Sequence, residues 1–109
     1  MCRLLAVLLA LTVLAANLGC AQRRLQQKES HLRETLFVIR SEIAQFTIDK
    51  RQPPASLGEL VTAGYMKEIP VDPFTGKNGT WKTEKRANWL QIHSGSDGIA
   101  SDGTPYRSW

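Results

Sequence analysis

The residues best suited to chemistry are oxygen-bearing side chains near the C-terminal end. The tripeptide Ser-Asp-Gly occurs twice, at 96–98 and 101–103, in a loop-like stretch of small and polar residues. Such a stretch buries little apolar surface, so another interaction has to order it. Clustered carboxylate and hydroxyl oxygens are the ligands that a hard cation such as Ca²⁺ prefers. The pattern therefore indicates a cation-binding loop, and we expect the Trp109 ring to close a small core beside it.

The same stretch also contains the residue types of a hydrolytic triad, in His93, Ser94 and Asp97. A nucleophile and its base must converge. Adjacent side chains on a strand point to opposite faces, so His93 and Ser94 are not expected to meet. We therefore predict that the chain is not an enzyme.

Composition limits the size of the fold and the class of partner. The chain has 109 residues and a net charge of +4, which allows one small domain after a leader. The basic residues are spread along the sequence, whereas nucleic-acid-binding proteins concentrate them on one face, so no nucleic-acid partner is expected. Cys2 and Cys20 both lie in or beside the leader, and no disulfide is predicted in the domain.

Residues 1–21 are predicted to be a signal peptide or a membrane anchor. Arg3 precedes an apolar run at 4–16, as in a secretory signal. Extended to residue 21, the run is also nearly as long as a membrane-spanning helix. The Gly19-Cys20 step resembles the lipobox of bacterial lipoproteins, in which the cysteine becomes the lipidated N-terminus. Cleavage, retention in the membrane and lipidation at Cys20 therefore stay open as alternatives, and in each we expect the rest of the chain to be exported.

Residues 22–52 are predicted to form one extended amphipathic helix. They contain no glycine or proline, and apolar residues recur at helical spacing as a single stripe. The stripe, which we interpret as an assembly helix, comprises Leu25, Leu32, Leu36, Ile39, Ile43 and Phe46. Phe37, Val38 and Ile48 are expected to widen it, so the helix should also pack on a domain.

Residues 53–109 are predicted to form a small globular part. Ser56 and Glu59 have the spacing of a capping box at the start of a short helix, which Gly64 should end. Strands are expected at 81–84 and 89–93, with a third short edge near 106–109. Because so few strands need a covering element, the long helix should lie on them. The predicted fold is α+β, with a long N-terminal helix packed on a small antiparallel sheet, a short second helix and a C-terminal loop.

Two runs of sequence, GYMKEIPVDPFTG at 64–76 and HSGSDG at 93–98, together resemble the major pseudopilins of bacterial type II secretion systems, the protein G family. The resemblance covers most of the chain from Arg33 onward. It implies a pseudopilin-like fold and subunits that assemble through apolar helices into a periplasmic filament. The partners would be the membrane, further copies of the chain, and other pseudopilins or secretion-system subunits. Family members often bind calcium in the C-terminal loop, which would make Asp97, Asp102 and Ser94 the ligands here.

The N-terminus departs from the family pattern. Family members are cleaved after a glycine that precedes the apolar helix, and they carry a glutamate five residues into the mature chain. Here only Met1, Cys2 and Arg3 precede the apolar run, and the run contains no acid. Two hypotheses follow from this. The first is a pseudopilin-like structural subunit, anchored in the membrane with its C-terminal domain in the periplasm. The second is a small periplasmic lipoprotein, anchored at Cys20, that acts as a binding or accessory module.

Overall fold

The computed structural model describes the backbone of residues 2–109 and the side chains of residues 19–109. In chain order the elements are helix α1 (Cys2–Lys50), helix α2 (Leu57–Thr62), strand β1 (Lys82–Lys85), strand β2 (Leu90–His93) and a 3₁₀ helix (Tyr106–Ser108). The two strands form an antiparallel pair in which Lys82 lies opposite His93 and Lys85 opposite Leu90. This is the α+β arrangement that the sequence predicted.

Helix α1 ends two residues before the predicted boundary. Arg51, which follows its last residue, has a φ of 56°, in the left-handed region that stops a helix. Pro53 and Pro54 come next and disfavour helical geometry in the residue before them.

The predicted apolar stripe of α1 forms most of the core. Five of its six residues are at most 3% exposed; they are Leu32, Leu36, Ile39, Ile43 and Phe46. They pack in one cluster with buried residues of the other elements, namely Leu57, Leu60, Leu90 and Ile92. Burial of each such side chain contributes about 1.5–3 kcal/mol. Leu25, at the N-terminal end of the stripe, is 37% exposed.

These burials place most of the predicted assembly stripe in the chain's own core. The five buried side chains lie inside the chain's own core, so they are not accessible to a neighbouring subunit. The prediction that Phe37, Val38 and Ile48 widen the stripe was wrong, since they are 72%, 49% and 72% exposed. Successive helical residues are rotated by about 100°, which places these three outside the buried stripe.

Helix α2 begins without the predicted capping box, in which Glu59 would accept from the Ser56 N–H. The Ser56 side chain makes no capping hydrogen bond. The Glu59 carboxylate does reach back, and it accepts from the Ala55 N–H at 2.7 Å. Gly64 has a φ of 86°, which confirms the left-handed stop after this helix.

The strands begin one residue later than predicted, and the predicted third edge near 106–109 is a 3₁₀ helix instead. Only one isolated bridge, between Ile99 and Pro105, pairs the C-terminal loop with itself. Pro105 has no N–H to donate, and it immediately precedes the 3₁₀ helix. Within the described part of the chain, no helix is long and apolar enough to cross a membrane.

Candidate functional site

A buried carboxylate on α1 holds the C-terminal loop. Glu29 is 3% exposed. Its Oε1 accepts from the Ser101 N–H and from the Tyr106 hydroxyl, each at 2.8 Å, and its Oε2 accepts from the Ser101 hydroxyl at 2.7 Å. These three residues are called the Glu29 cluster below. The cluster joins residues that are 72 and 77 positions apart in the sequence.

The cluster favours the charged form of Glu29. Burial alone would raise the pKa of this carboxyl, but the hydrogen bonds from Ser101 and Tyr106 and the positive charge of Arg33 outweigh it, so the pKa lies below its usual value. Burial, together with the hydrogen bond to Glu29, raises the pKa of the Tyr106 hydroxyl to about 12. Glu29 is therefore a carboxylate, and Tyr106 a neutral donor, throughout the physiological pH range.

A second buried carboxylate, Asp72, fixes the segment that follows β2. It is fully buried, and its Oδ2 accepts from the Ser94 hydroxyl at 2.6 Å and from the Gly95 N–H at 3.3 Å. Its Oδ1 accepts from the Phe74 N–H at 2.8 Å. Gly95 is required here, because a Cβ at this position would lie 1.9 Å from the Thr80 carbonyl oxygen.

Aromatic rings connect the two carboxylate sites. The Phe74 ring stacks on the Tyr106 ring with 4.0 Å between centroids, and the Tyr106 ring meets the Trp109 ring edge-on at 5.1 Å. Tyr106 is thus in contact, through its ring, with the turn at residues 72–76, called the Asp72 turn below, and with Glu29 through its hydroxyl. The C-terminal loop, the Asp72 turn and α1 form one packed unit.

Trp109 is held at several points, as the sequence predicted for a ring that closes the core. The Arg33 guanidinium lies over its indole, 4.4 Å from the centroid, and the indole N–H donates to the Thr104 hydroxyl at 2.8 Å. Its main-chain oxygen accepts from the Arg40 guanidinium and, at 3.0 Å, from the His93 Nδ1–H. Arg40 also donates to the Ile92 carbonyl at 2.9 Å, which ties the loop to β2.

The three predicted calcium ligands have different surroundings. Ser94 is fully buried, where it donates to Asp72 and accepts from the Ser96 N–H at 3.1 Å. Asp102 is exposed, and its Oδ1 accepts from the Thr104 hydroxyl at 2.6 Å and from the Thr104 N–H at 2.9 Å. These bonds lower the pKa of Asp102. Asp97 is exposed. Among the side chains of residues 19–109, no group of three or more His, Cys, Asp or Glu residues is placed to hold a metal ion.

The residues of the rejected hydrolytic triad are engaged elsewhere. The Ser94 hydroxyl donates to Asp72 and not to His93. The His93 Nε2 accepts from the Gln91 side-chain amide at 2.7 Å, and its Nδ1–H donates to Trp109. His93 therefore connects β2 to Trp109.

Sequence reasoning missed the central residue of the site. The i,i+4 spacing of Glu29 and Arg33 predicts a pair on the helix surface, whereas in the structure the Arg33 guanidinium lies over Trp109. A signal was present, because Glu29 sits three residues before Leu32 and four after Leu25, at a position where the stripe repeats. A charged residue at a core position needs a buried polar partner, and that partner was not deduced.

A groove opens on the other side of the core, between α1 and the β1–β2 hairpin. Its volume is about 430 Å³, and we call it the hairpin groove. From α1 it is lined by Arg40, Ile43, Ala44, Thr47 and Ile48, and from the hairpin by Asn88, Trp89, Leu90, Gln91 and Ile92. Ile48 and Trp89 are exposed at its rim, with 72% and 52% of their surface in solvent.

Of the predicted anchor at residues 1–21, the structure describes the side chains of residues 19–21 only. Cys20 is an exposed, free cysteine on α1, which is compatible with either fate proposed for it. The predicted apolar run at 4–16 lies outside the described side chains. Comparison of the chain with protein-family models, with curated proteins and with solved structures gave no match.

Proposed function

We propose that the chain is a pseudopilin-like structural subunit of a bacterial type II protein secretion apparatus and not an enzyme. The observation that supports this most directly is the way α1 extends beyond the domain. Residues 29–46 of the helix pack on the domain, whereas residues 20–28 of the same helix are all exposed. Residues 19–50 of α1, the part whose side chains are described, span roughly 48 Å at 1.5 Å per residue. The helix is thus a rod with a small domain fixed to its C-terminal half.

The join between rod and domain is suited to a structural role. Apolar packing holds α1 from Leu32 to Phe46, and the Glu29 cluster adds directional hydrogen bonds at the end nearer the leader. Movement of the rod therefore carries the domain with it. In the proposal, the helix positions the domain on the periplasmic side, and Arg23, Arg24 and Lys28 lie at the lipid headgroups.

Neighbouring subunits would meet the outward side of α1, because the stripe is occupied by the core. Among residues 19–50, the large apolar side chains exposed on this helix are Leu25, Phe37, Val38 and Ile48. Scattered exposed apolar residues are ordinary on a monomer. Their position along one rod makes them the surface that adjacent helices would cover in a filament.

Photo-crosslinking tests this arrangement. A photoreactive amino acid is placed at Ile48 of the full chain in cells that carry the secretion apparatus, and the control places it at Lys82 on β1. The proposal expects the photoreactive group at position 48 to give a ladder of crosslinked adducts that contain several copies of the chain. The group at position 82 should give no such adducts. Phe37→Glu should remove the ladder, and Lys82→Glu, an exposed charge change away from the rod, should not. Absence of adducts from Ile48 in the unsubstituted chain would argue against assembly.

The lipoprotein alternative differs in its mature N-terminus. Mass spectrometry of the membrane-extracted protein would find a diacylglycerol-modified Cys20 as the first residue if the alternative holds. The pseudopilin-like proposal expects Cys20 as a free thiol within a longer chain. Lipidation combined with an absence of adducts would replace the first proposal with the second.

A further inference from the structure

We infer that the Glu29 carboxylate, in place of the calcium ion that the pseudopilin resemblance implies, fixes the C-terminal loop to α1. The inference goes beyond the assembly role and does not depend on it, because it concerns only how the loop is held. It makes Glu29 a positioning residue for the last nine residues of the chain.

The chemistry of the loop is opposite to that of a cation site. A cation collects acceptors, that is, carboxylate, carbonyl and hydroxyl oxygens. At α1 the loop instead presents donors, the Ser101 N–H, the Ser101 hydroxyl and the Tyr106 hydroxyl, and all three converge on one anion. The negative charge sits on the helix and the hydrogens sit on the loop, so no cation is needed between them.

The predicted ligands do not form a coordination shell. Ca²⁺ takes six to eight oxygens. The Ser94 hydroxyl is buried and already both donates and accepts, and Asp102 Oδ1 already accepts twice from Thr104. The side-chain oxygens that remain are those of Asp97 and Oδ2 of Asp102, which belong to exposed residues. These side chains alone therefore supply fewer oxygens than the six to eight of a calcium shell.

The loop also closes on itself through hydrogen bonds of its own. The Ala100 N–H donates to the Thr104 carbonyl at 2.7 Å, and the Gly103 N–H donates to the Ala100 carbonyl at 2.9 Å. The Trp109 indole N–H reaches the Thr104 hydroxyl. The turn that a bound ion would organise is therefore formed by protein groups.

Thermal unfolding of the full chain, in excess calcium and in the chelator EGTA, tests the inference. We expect the two Tm values to agree within about 1 °C. A calcium site filled at about 100 times its Kd would raise the Tm by roughly 10 °C or more. A rise of that size for the unsubstituted chain would overturn the inference.

Substitutions locate the source of the stability. Glu29→Gln should lower the Tm by roughly 10 °C or more in both solutions, whereas Glu34→Gln, on an exposed part of the same helix, should leave it within about 1 °C. If Glu29→Gln does not fold, Ser101→Ala and Tyr106→Phe each remove one donor and should each lower the Tm by several degrees regardless of calcium. Asp97→Asn should change nothing. A lower Tm of Asp97→Asn in calcium but not in EGTA would contradict the inference.

Discussion

The contact between α1 and the domain is built differently at its two ends. Near residue 29 a buried carboxylate meets three donors of the C-terminal loop, and the interface is closed. Near residues 40–48 the helix meets β2 through Leu90 and Ile92, and the hairpin groove stays open beside them. The first end is fixed mainly by directional polar contacts, and the second mainly by apolar contacts with one hydrogen bond from the Arg40 guanidinium to the Ile92 carbonyl.

The difference follows from what each segment can bury. The loop at 95–104 is rich in glycine, serine and aspartate, so only hydrogen bonds can specify its position. The hairpin has two large aliphatic residues on its inner face, so it packs mainly through apolar contacts and leaves Ile48 and Trp89 exposed at the groove rim. The loop end is therefore expected to be sensitive to single polar changes, and the groove end is not.

The largest effect is expected from Glu29→Gln. The neutral amide keeps one acceptor but places an N–H against a donor, and each hydrogen bond to a buried charge contributes about 1.5–3 kcal/mol. We expect the free energy of unfolding to fall by about 3 kcal/mol near neutral pH, measured by chemical denaturation. Glu34→Gln, the matched control, should change it by less than about 0.5 kcal/mol. Equal effects of the two variants would show that the carboxylate does not hold the loop.

The stabilisation by Glu29 should also disappear in acid. Its pKa is lowered in the folded protein, so the unfolded chain binds the proton more readily as the pH falls. The contribution is complete above the ordinary glutamate value of 4.5 and is lost as the pH drops through the lower folded value. The difference between the native chain and Glu29→Gln should thus be constant near neutral pH and shrink below pH 4.5. A difference that grows in acid would contradict the assigned charge.

A smaller loss is expected from Tyr106→Phe. The variant keeps the ring that stacks on Phe74 and removes only the hydroxyl that donates to Glu29, for about 1–2 kcal/mol. The tyrosine also predicts an alkaline effect, because its pKa rises from 10.0 to about 12 on folding. Its contribution is complete below pH 10 and is lost as the pH rises through about 12. Between pH 10 and about 12, the free energy of unfolding should fall more steeply with pH for the native chain than for Tyr106→Phe, as measured by chemical denaturation.

The smallest effect is expected at the groove. Ile48→Ser and Trp89→Ser each replace an exposed apolar side chain, and we expect changes in unfolding free energy within about 0.5 kcal/mol. A loss above about 2 kcal/mol from either would mean that the rim belongs to the core, and the contrast between the two ends would fail.

The sequence predicted the elements in which apolar residues recur at a regular spacing. The spacing of Leu32, Leu36 and Ile39 was enough to place the core face of α1, and the prolines after Gln52 placed its end. The strands were predicted to within one residue because turn residues bracket them. Phe37, Val38 and Ile48 were misplaced because apolar character alone does not distinguish an outward residue from a core residue.

The site was harder to predict because its contacts are long-range. Glu29 occupies a stripe position, which marks it as unusual, but its partners Ser101 and Tyr106 lie far along the chain. The carboxylates of the C-terminal loop led to the prediction of a bound cation. The groups that fix the loop to α1 include the N–H and hydroxyl donors of Ser101. Only the fold shows that these donors point at a carboxylate on α1.

The most direct test of the Glu29 cluster is amide hydrogen exchange in the full chain. Ser101 is an exposed residue, yet its N–H donates to Glu29, whereas Trp89 lies in the exposed turn between the strands. We predict slow exchange at Ser101 and fast exchange at Trp89, with Glu29→Gln accelerating Ser101 and leaving Trp89 unchanged. Exchange at Ser101 as fast as at Trp89 in the native chain would contradict the account.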